Sequence, residues 1–304
     1  MHLQPPRSAS RFPGNAAGAS SSNKGVFTMI KKLAALAVAL CLVTATATLA
    51  SAQDLDAFKG KSGNIEIAGG TAHIPVMKGA AKRIMTVNPG IRITVEGGGS
   101  GVGVQKVGEG LVSIGNTGRA VTEAEKAKYG LVSFPFAIDG VAVVVHKENP
   151  VNSLTQAQVQ DIFAGRIGNW KQVGGPDAAI NAYTRDEASG TREVFFEKML
   201  AKGVILDSAN VVASNGAMKT AVAGDKNAIG YVSIGHIDDT LKAPLLDGVA
   251  PTQDNATNGA YKITRLLYMN TKGEPQGVVK AFIDYVRGPE GAELIKASGY
   301  IPTK

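Results

Sequence analysis

The chain has 304 residues, one cysteine and a formal net charge of +7. Five basic residues and no acidic ones lie in the first 52 positions, and without them 27 basic face 25 acidic residues, a net of +2. The excess therefore sits mainly in the leading segment, which excludes a basic-patch argument for nucleic acid. Cys41 stands alone, so neither a disulfide framework nor a thiol-ligated metal site is available.

Residues 1–28 are rich in Ser, Ala, Gly and Pro and show no apolar period. A second start-like residue, Met29, precedes Lys31 and Lys32, an apolar run from Leu33 to Leu49, and Ala50-Ser51-Ala52. Basic, apolar and A-x-A parts in that order predict a secretory signal peptide cleaved near Ala52. The rival reading, a membrane anchor, is disfavoured by a run short of ~20 residues with no basic flank after it. Leu40 is not small, so Cys41 does not read as a lipid-bearing cysteine. The expectation is residues 1–52 as leader, with the true start at Met29 or Met1, and an exported, periplasmic remainder.

After Ala52, strand-like and helix-like segments alternate. Asn64–Ala68 reads as a strand, and Val76, Ala80 and Ile84 repeat at helical spacing. Ile91–Val95 alternates like a strand and runs into Gly97-Gly98-Gly99-Ser100-Gly101. Val141–Val145 is a continuous apolar run, as in a strand buried on both faces. Thr155 and Gln158 form a capping-box pattern before Val159, Ile162 and Phe163, with Gly165 to close the helix. Ile180–Tyr183, Ala228–Val232 and Leu266–Met269 read as strands. Val194–Leu200 and Val278–Val286 read as helices. The alternation predicts an α/β fold with mainly parallel sheets.

One device recurs three times: a strand enters a Gly/Ser/Thr loop that opens a helix. The loops are Ala68-Gly69-Gly70-Thr71-Ala72, Gly97–Gly101, and Arg185 through Ser189-Gly190-Thr191. A helix N-terminus offers free N–H groups and about half a positive charge. Small residues let an anion reach the backbone, and hydroxyls add hydrogen bonds. Any one loop could simply be a helix cap; three of them, one with an arginine, point to a shared anion. Nucleotide motifs are absent, since neither G-x-x-x-x-G-K-[ST] nor G-x-G-x-x-G is satisfied here. Ser100 is not in a nucleophile elbow, because Val102 stands where the second glycine is required.

At these loops the chain resembles the phosphate-binding protein of bacterial phosphate ABC importers. The likeness runs from about Asn64 to the C-terminus. It is carried by Gly70-Thr71 with Pro75, Gly98–Gly101, Ser113–Arg119, Asp161–Trp170, Arg185–Arg192 and Ala228–Val232. The resemblance implies a two-lobe periplasmic binding protein of type II-like form. Each lobe would be a mainly parallel sheet flanked by helices, and the cleft would close on one tetrahedral anion without chemistry. Lobe one would comprise residues 53–137 plus 261–304, and lobe two residues 138–260. By the same likeness Thr71, Ala72, Ser100, Arg185, Ser189, Gly190 and Thr191 would hold inorganic phosphate, with Gly70, Gly118, Arg119 and Asp139 as further candidates. The implied partner is the membrane permease of an ABC importer; no cofactor, metal or nucleic acid is implied, and the chain is expected to be a monomer.

One position departs from the family pattern. Gly118 stands where an Asp or Ser is often presented, which suggests less strict rejection of sulfate and a sharper preference in a Gly118→Asp variant. Other residues have two readings. His73 either contacts the ligand or packs beside it. Asp139 is either a ligand or a turn residue at a hinge, and Asp186 and Glu187 either orient Arg185 or are solvated. Arg119 is either a contact or a surface residue, and Trp170 reads as packing. His146 and His236 lack metal-ligand spacing. The rival functions are the same fold holding sulfate or molybdate, or a phosphatase; the latter lacks a metal cluster, a Cys nucleophile and a Ser–His arrangement.

Overall fold

The computed structural model describes residues 55–303; the expected signal peptide lies outside the described residues. Twelve strands are β1 (Gly63–Gly69), β2 (Ile91–Gly98), β3 (Ile114–Thr117), β4 (Leu131–His146), β5 (Ser153–Leu154) and β6 (Asn181–Arg185), then β7 (Asn210–Val212), β8 (Ala228–Ser233), β9 (Leu241–Lys242), β10 (Leu245–Leu246), β11 (Thr264–Lys272) and β12 (Ile301–Pro302). The main path runs β2-β1-β3-β11-β4-β8-β6-β7.

Local physics explains the outer strands. β1 pairs in parallel with both β2 and β3. Parallel neighbours need a crossover, supplied by the helices Ile74–Val87 and Ser100–Gly108. Pro75 opens the first of these, where its missing N–H costs nothing. Val76, Met77, Ala80, Ala81 and Ile84 form its buried stripe. On the other side β6 pairs in parallel with β7 and β8. The capping box expected at Thr155 and Gln158 is formed and starts the helix Gln156–Phe163.

The sheet is mixed rather than mainly parallel. β4 and β11 run antiparallel to each other over Leu131–Gly140, and β4 then runs antiparallel to β8 from Val141 to Val145. The antiparallel centre arises because β4 carries the chain out of one half and β11 brings it back.

Buried apolar residues divide accordingly. One cluster gathers Ile65, Ile67, Ile84, Phe136, Leu267 and Phe282. A second gathers Val141, Val143, Phe163, Trp170, Phe195 and Tyr231, with Tyr261 and Ile263. Those last two residues pack with the second cluster, whereas the sequence boundary put them with the first. Trp170 is fully buried and donates Nε1–H to the Asn227 carbonyl at 3.0 Å, a packing role. Residues 113–119, read from sequence as a loop, contain the buried strand β3. No helix among the described residues is long and apolar enough to cross a membrane.

Candidate functional site

The ends of β1, β2, β3 and β6 and the start of β11 converge between the two clusters. Ligands of open α/β sheets bind at the carboxyl ends of strands, and a small cavity lies there. Gly70, Thr71, Ala72 and His73 line it after β1, and Gly99 and Ser100 after β2. Gly118 follows β3, while Arg185 ends β6 and Ser189, Gly190 and Thr191 follow it. Arg265 enters from β11. A larger groove along Lys78, Lys82, Met85 and Ile93 is open and mainly apolar in its lining.

The approach is close. Gly99 has φ +90, and a Cβ there would stand 2.6 Å from the Ala188 carbonyl oxygen. Glycine therefore meets both the backbone and the space requirement, and Gly101 N–H donates to that same carbonyl at 3.0 Å.

The hydroxyls are oriented by what they accept. Thr71 Oγ1 accepts from the Asn215 backbone N–H at 3.2 Å and from Asn215 Nδ2 at 3.0 Å. Thr191 Oγ1 accepts from Arg265 Nη2 at 3.0 Å and Asn215 Nδ2 at 3.4 Å. A hydroxyl has one proton and two lone pairs, so both threonines keep only a donor for a ligand. Ser100 Oγ accepts from Gly118 N–H at 2.9 Å, and Ser189 Oγ from Arg192 N–H at 3.2 Å.

Arg185 is buried, with its backbone N–H on the Tyr231 hydroxyl at 3.1 Å and Nη2 on the Ala213 carbonyl at 3.0 Å. Tyr231 in turn stacks on Phe195 with ring centroids 3.9 Å apart. Nε and Nη1 of Arg185 are buried without a protein partner. Burial pulls the guanidinium below its usual range, and the charge on Arg265 adds to this. Neither Asp186 nor Glu187 forms an ion pair with it among the described residues.

Two expected contacts lie elsewhere. Arg119 forks onto Glu125 at 2.7 and 2.8 Å and reaches Glu193 at 2.8 Å, outside the cavity lining. Asp139 is fully buried behind Arg265: its Oδ2 accepts from Arg265 Nε at 2.9 Å and stands 2.8 Å from Nη2 in an ion pair. Asp139 Oδ1 accepts from Ser233 Oγ at 2.8 Å. Burial pushes this carboxyl upward against the pull of Arg265. No acidic residue lines the cavity among the described residues.

Arg265 and Asn215 were not singled out in the sequence. Asn215 is the first residue of the helix Asn215–Gly224 and is fully buried, bridging Thr71, Thr191 and, through its Oδ1, the Ser233 N–H at 3.0 Å. His73 packs on Phe136 with centroids 5.4 Å apart, and burial, reinforced by Arg265, holds its pKa down to about 3. Its imidazole is therefore neutral at ordinary pH. No cluster of metal-ligating side chains occurs among the described residues.

A donor-rich cavity at the strand ends of a two-core α/β sheet defines a periplasmic-binding-protein type of ligand site. Residues 45–290 match the model of the PBP superfamily domain, and the chain belongs to that superfamily. The phosphate-binding protein PstS of Bacillus subtilis is 36% identical over 259 residues, covering 81% of this chain and 84% of its own. PstS of Pseudomonas aeruginosa is 28% identical over 312 residues, covering 89% and 95%. A Clostridium perfringens structure, assigned as a phosphate ABC transporter substrate-binding protein with bound phosphate, is 35% identical. It superposes with a TM-score of 0.75 over 80% of this chain and all of its own.

Proposed function

We propose that this chain binds one inorganic phosphate ion between the two cores and delivers it to the permease of an ABC importer, performing no chemistry on it. The observation that carries the reading is Arg185, whose Nε and Nη1 are buried without a protein partner beside hydroxyls held as donors. A buried charged donor left unmatched is costly, and a tetrahedral oxyanion matches it. Thr71, Ser100, Ser189 and Thr191 hydroxyls, the N–H groups of Ala72 and Gly190, and Arg185 would form the shell. The names and bound ligand of the relatives support phosphate over sulfate or molybdate.

Residues on either side of the cavity would belong to two lobes hinged at β4 and β11. Cross-cavity contacts such as Gly101–Ala188 and Arg119–Glu193 would stabilise closure. A ligand favours closure only through tighter binding to the closed state. The leader through Ala52 would direct export to the periplasm, where the remaining chain would act as a monomer.

The test is calorimetry on phosphate-free protein, with phosphate, sulfate and molybdate as separate titrants. One phosphate site per chain is expected, with a smaller radius of gyration in solution scattering at saturation. No phosphate binding, or release of phosphate from a chromogenic ester well above buffer, overturns the reading.

A further inference from the structure

Arg265 sits where β11 begins, 126 residues from its partner Asp139 in sequence, and its side chain is 3% exposed. Three observations separate it from an ordinary buried ion pair. First, only two of its three guanidinium nitrogens are engaged by protein. Nε and Nη2 bind Asp139, Nη2 also donates to Thr191 Oγ1, and Nη1 has no hydrogen bond among the described residues. Second, it lines the same cavity as Arg185 and the four hydroxyls. Third, Nη1 lies against Gly118, where a Cβ would come within 2.5 Å of it. The side chain thus occupies the space that a residue other than glycine at 118 would fill.

The chemistry follows from the fork. A guanidinium carries five N–H donors in a plane and no acceptor. Asp139 fixes that plane through Nε and Nη2, which leaves Nη1 preorganised and pointing elsewhere. Two guanidinia in one water-poor cavity repel each other, and the field of Arg265 is felt at Arg185 and His73. An anion between them removes that repulsion.

We propose that Arg265 is a second guanidinium ligand of the bound oxyanion, carried on β11 and held in place by Asp139. The proposal rests on the anion-site reading above. It assigns the cavity two cationic ligands and no lining carboxylate, a set suited to doubly charged tetrahedral oxyanions.

The test is calorimetric titration of phosphate into four full chains: wild type, Asp139→Asn, Arg265→Lys, and the double variant Arg265→Gln with Asp139→Asn. The double variant has the wild-type net charge and can keep a Gln–Asn hydrogen bond, so a structural or long-range role of Arg265 leaves its affinity near wild type. As a ligand, Arg265 predicts at least a thirtyfold loss there, and a smaller loss in Asp139→Asn, which keeps the guanidinium but loosens its hold. Arg265→Lys keeps the charge but loses the fork, and at least a tenfold loss is expected with a cooperative melt retained. If the double variant does not fold, the Lys variant decides. Wild type that binds while the decisive variant stays within threefold of it overturns the role of Arg265. Wild type that binds no phosphate overturns both this role and the site reading.

Discussion

A Cβ placed on Gly118 would stand 2.5 Å from Nη1 of Arg265. The glycine that departs from the family pattern and the arginine of β11 are therefore one arrangement: the first leaves the room that the second fills. The expectation that an aspartate at 118 would sharpen selectivity left this neighbour out of account. Such a carboxylate would displace Arg265 or pair with its free nitrogen, and its charge would repel the anion. Gly118→Asp should weaken phosphate binding by on the order of a hundredfold, about 2.7 kcal/mol, and Gly118→Ala by less. Calorimetry with both variants checks this; a wild-type dissociation constant in Gly118→Asp would show that the position tolerates a side chain.

Arg185 supplies the clearest contrast with a structural arginine. Charge-assisted hydrogen bonds contribute about 1.5–3 kcal/mol each, and ~1.4 kcal/mol is tenfold in affinity. Arg185→Ala should cost a hundredfold or more. Arg166 is exposed and, among the described residues, pairs only with Asp161, and exposed pairs contribute about 1 kcal/mol or less. Arg166→Ala should therefore leave phosphate affinity within about twofold. Equal losses in the two variants would mean that the site lies elsewhere.

Asn215 acts through the threonines. Its amide gives hydrogen to both Thr71 and Thr191 and so fixes their own protons toward the cavity. Asn215→Ala frees both hydroxyls to turn. A hydrogen bond contributes about 1 kcal/mol, so the expected cost is roughly 2 kcal/mol in stability, a melting shift of about 4–8 °C for a chain of this size. Phosphate affinity should fall about tenfold or more. Asn215→Asp presents only acceptors when ionised and should bind phosphate still more weakly, by titration under the same buffer. An Asp variant binding better than the Ala variant contradicts this polarity argument.

One buried histidine, His73, and one half-buried, His236, give stability a pH dependence. Burial, with neighbouring cations, holds His73 near a pKa of about 3 and His236 near about 4, against about 6.5 in an unfolded chain. The unfolded state binds more protons below that value, so stability is lost as pH falls from about 6.5 toward 4. Each histidine contributes about 1.4 kcal/mol per pH unit across that window. Urea denaturation of phosphate-free protein at pH 5 to 7.5 should show this slope, and His236→Gln should remove about half of it. A flat profile in wild type would contradict the depressed pKa of both rings.

Much of the site was legible because its signals are local. Gly70-Thr71, Gly99-Ser100 and Ser189-Gly190-Thr191 each sit within a few residues of a strand end, and their composition advertises close backbone approach. Arg265 carries no such mark. It lies beside Leu266 and Leu267 in a strand, and its meaning depends on Asp139, far away in sequence. Asn215 reads as an ordinary residue after the helix cap Ser214. The strand β3 was hidden because Gly115, Asn116 and Thr117 suit loops as well as strands. The helix Glu123–Tyr129 buries no residue, so it had no apolar period to show, only the capping box of Thr122 and Glu125.

The length of β4 also bears on how the chain reaches this structure. Its 16 residues supply Phe136 and Ala137 to one core and Val141, Val143 and Val145 to the other. Neither core is complete until that one strand is in place, and its pairing with β11 joins segments more than 120 residues apart. Such distant pairings close late, after a large loop entropy has been met. A fragment beginning at residue 138 and ending at 260 keeps the Val141–Val145 stretch but loses Tyr261 and Ile263 from its core. Its cut strand would leave Ile138, Asp139 and Gly140 without their partners Leu266, Arg265 and Thr264, an unpaired edge that invites association with other chains. The two halves are thus stitched into a single folding unit, and ribosomal synthesis must deliver β11 before the first core can settle.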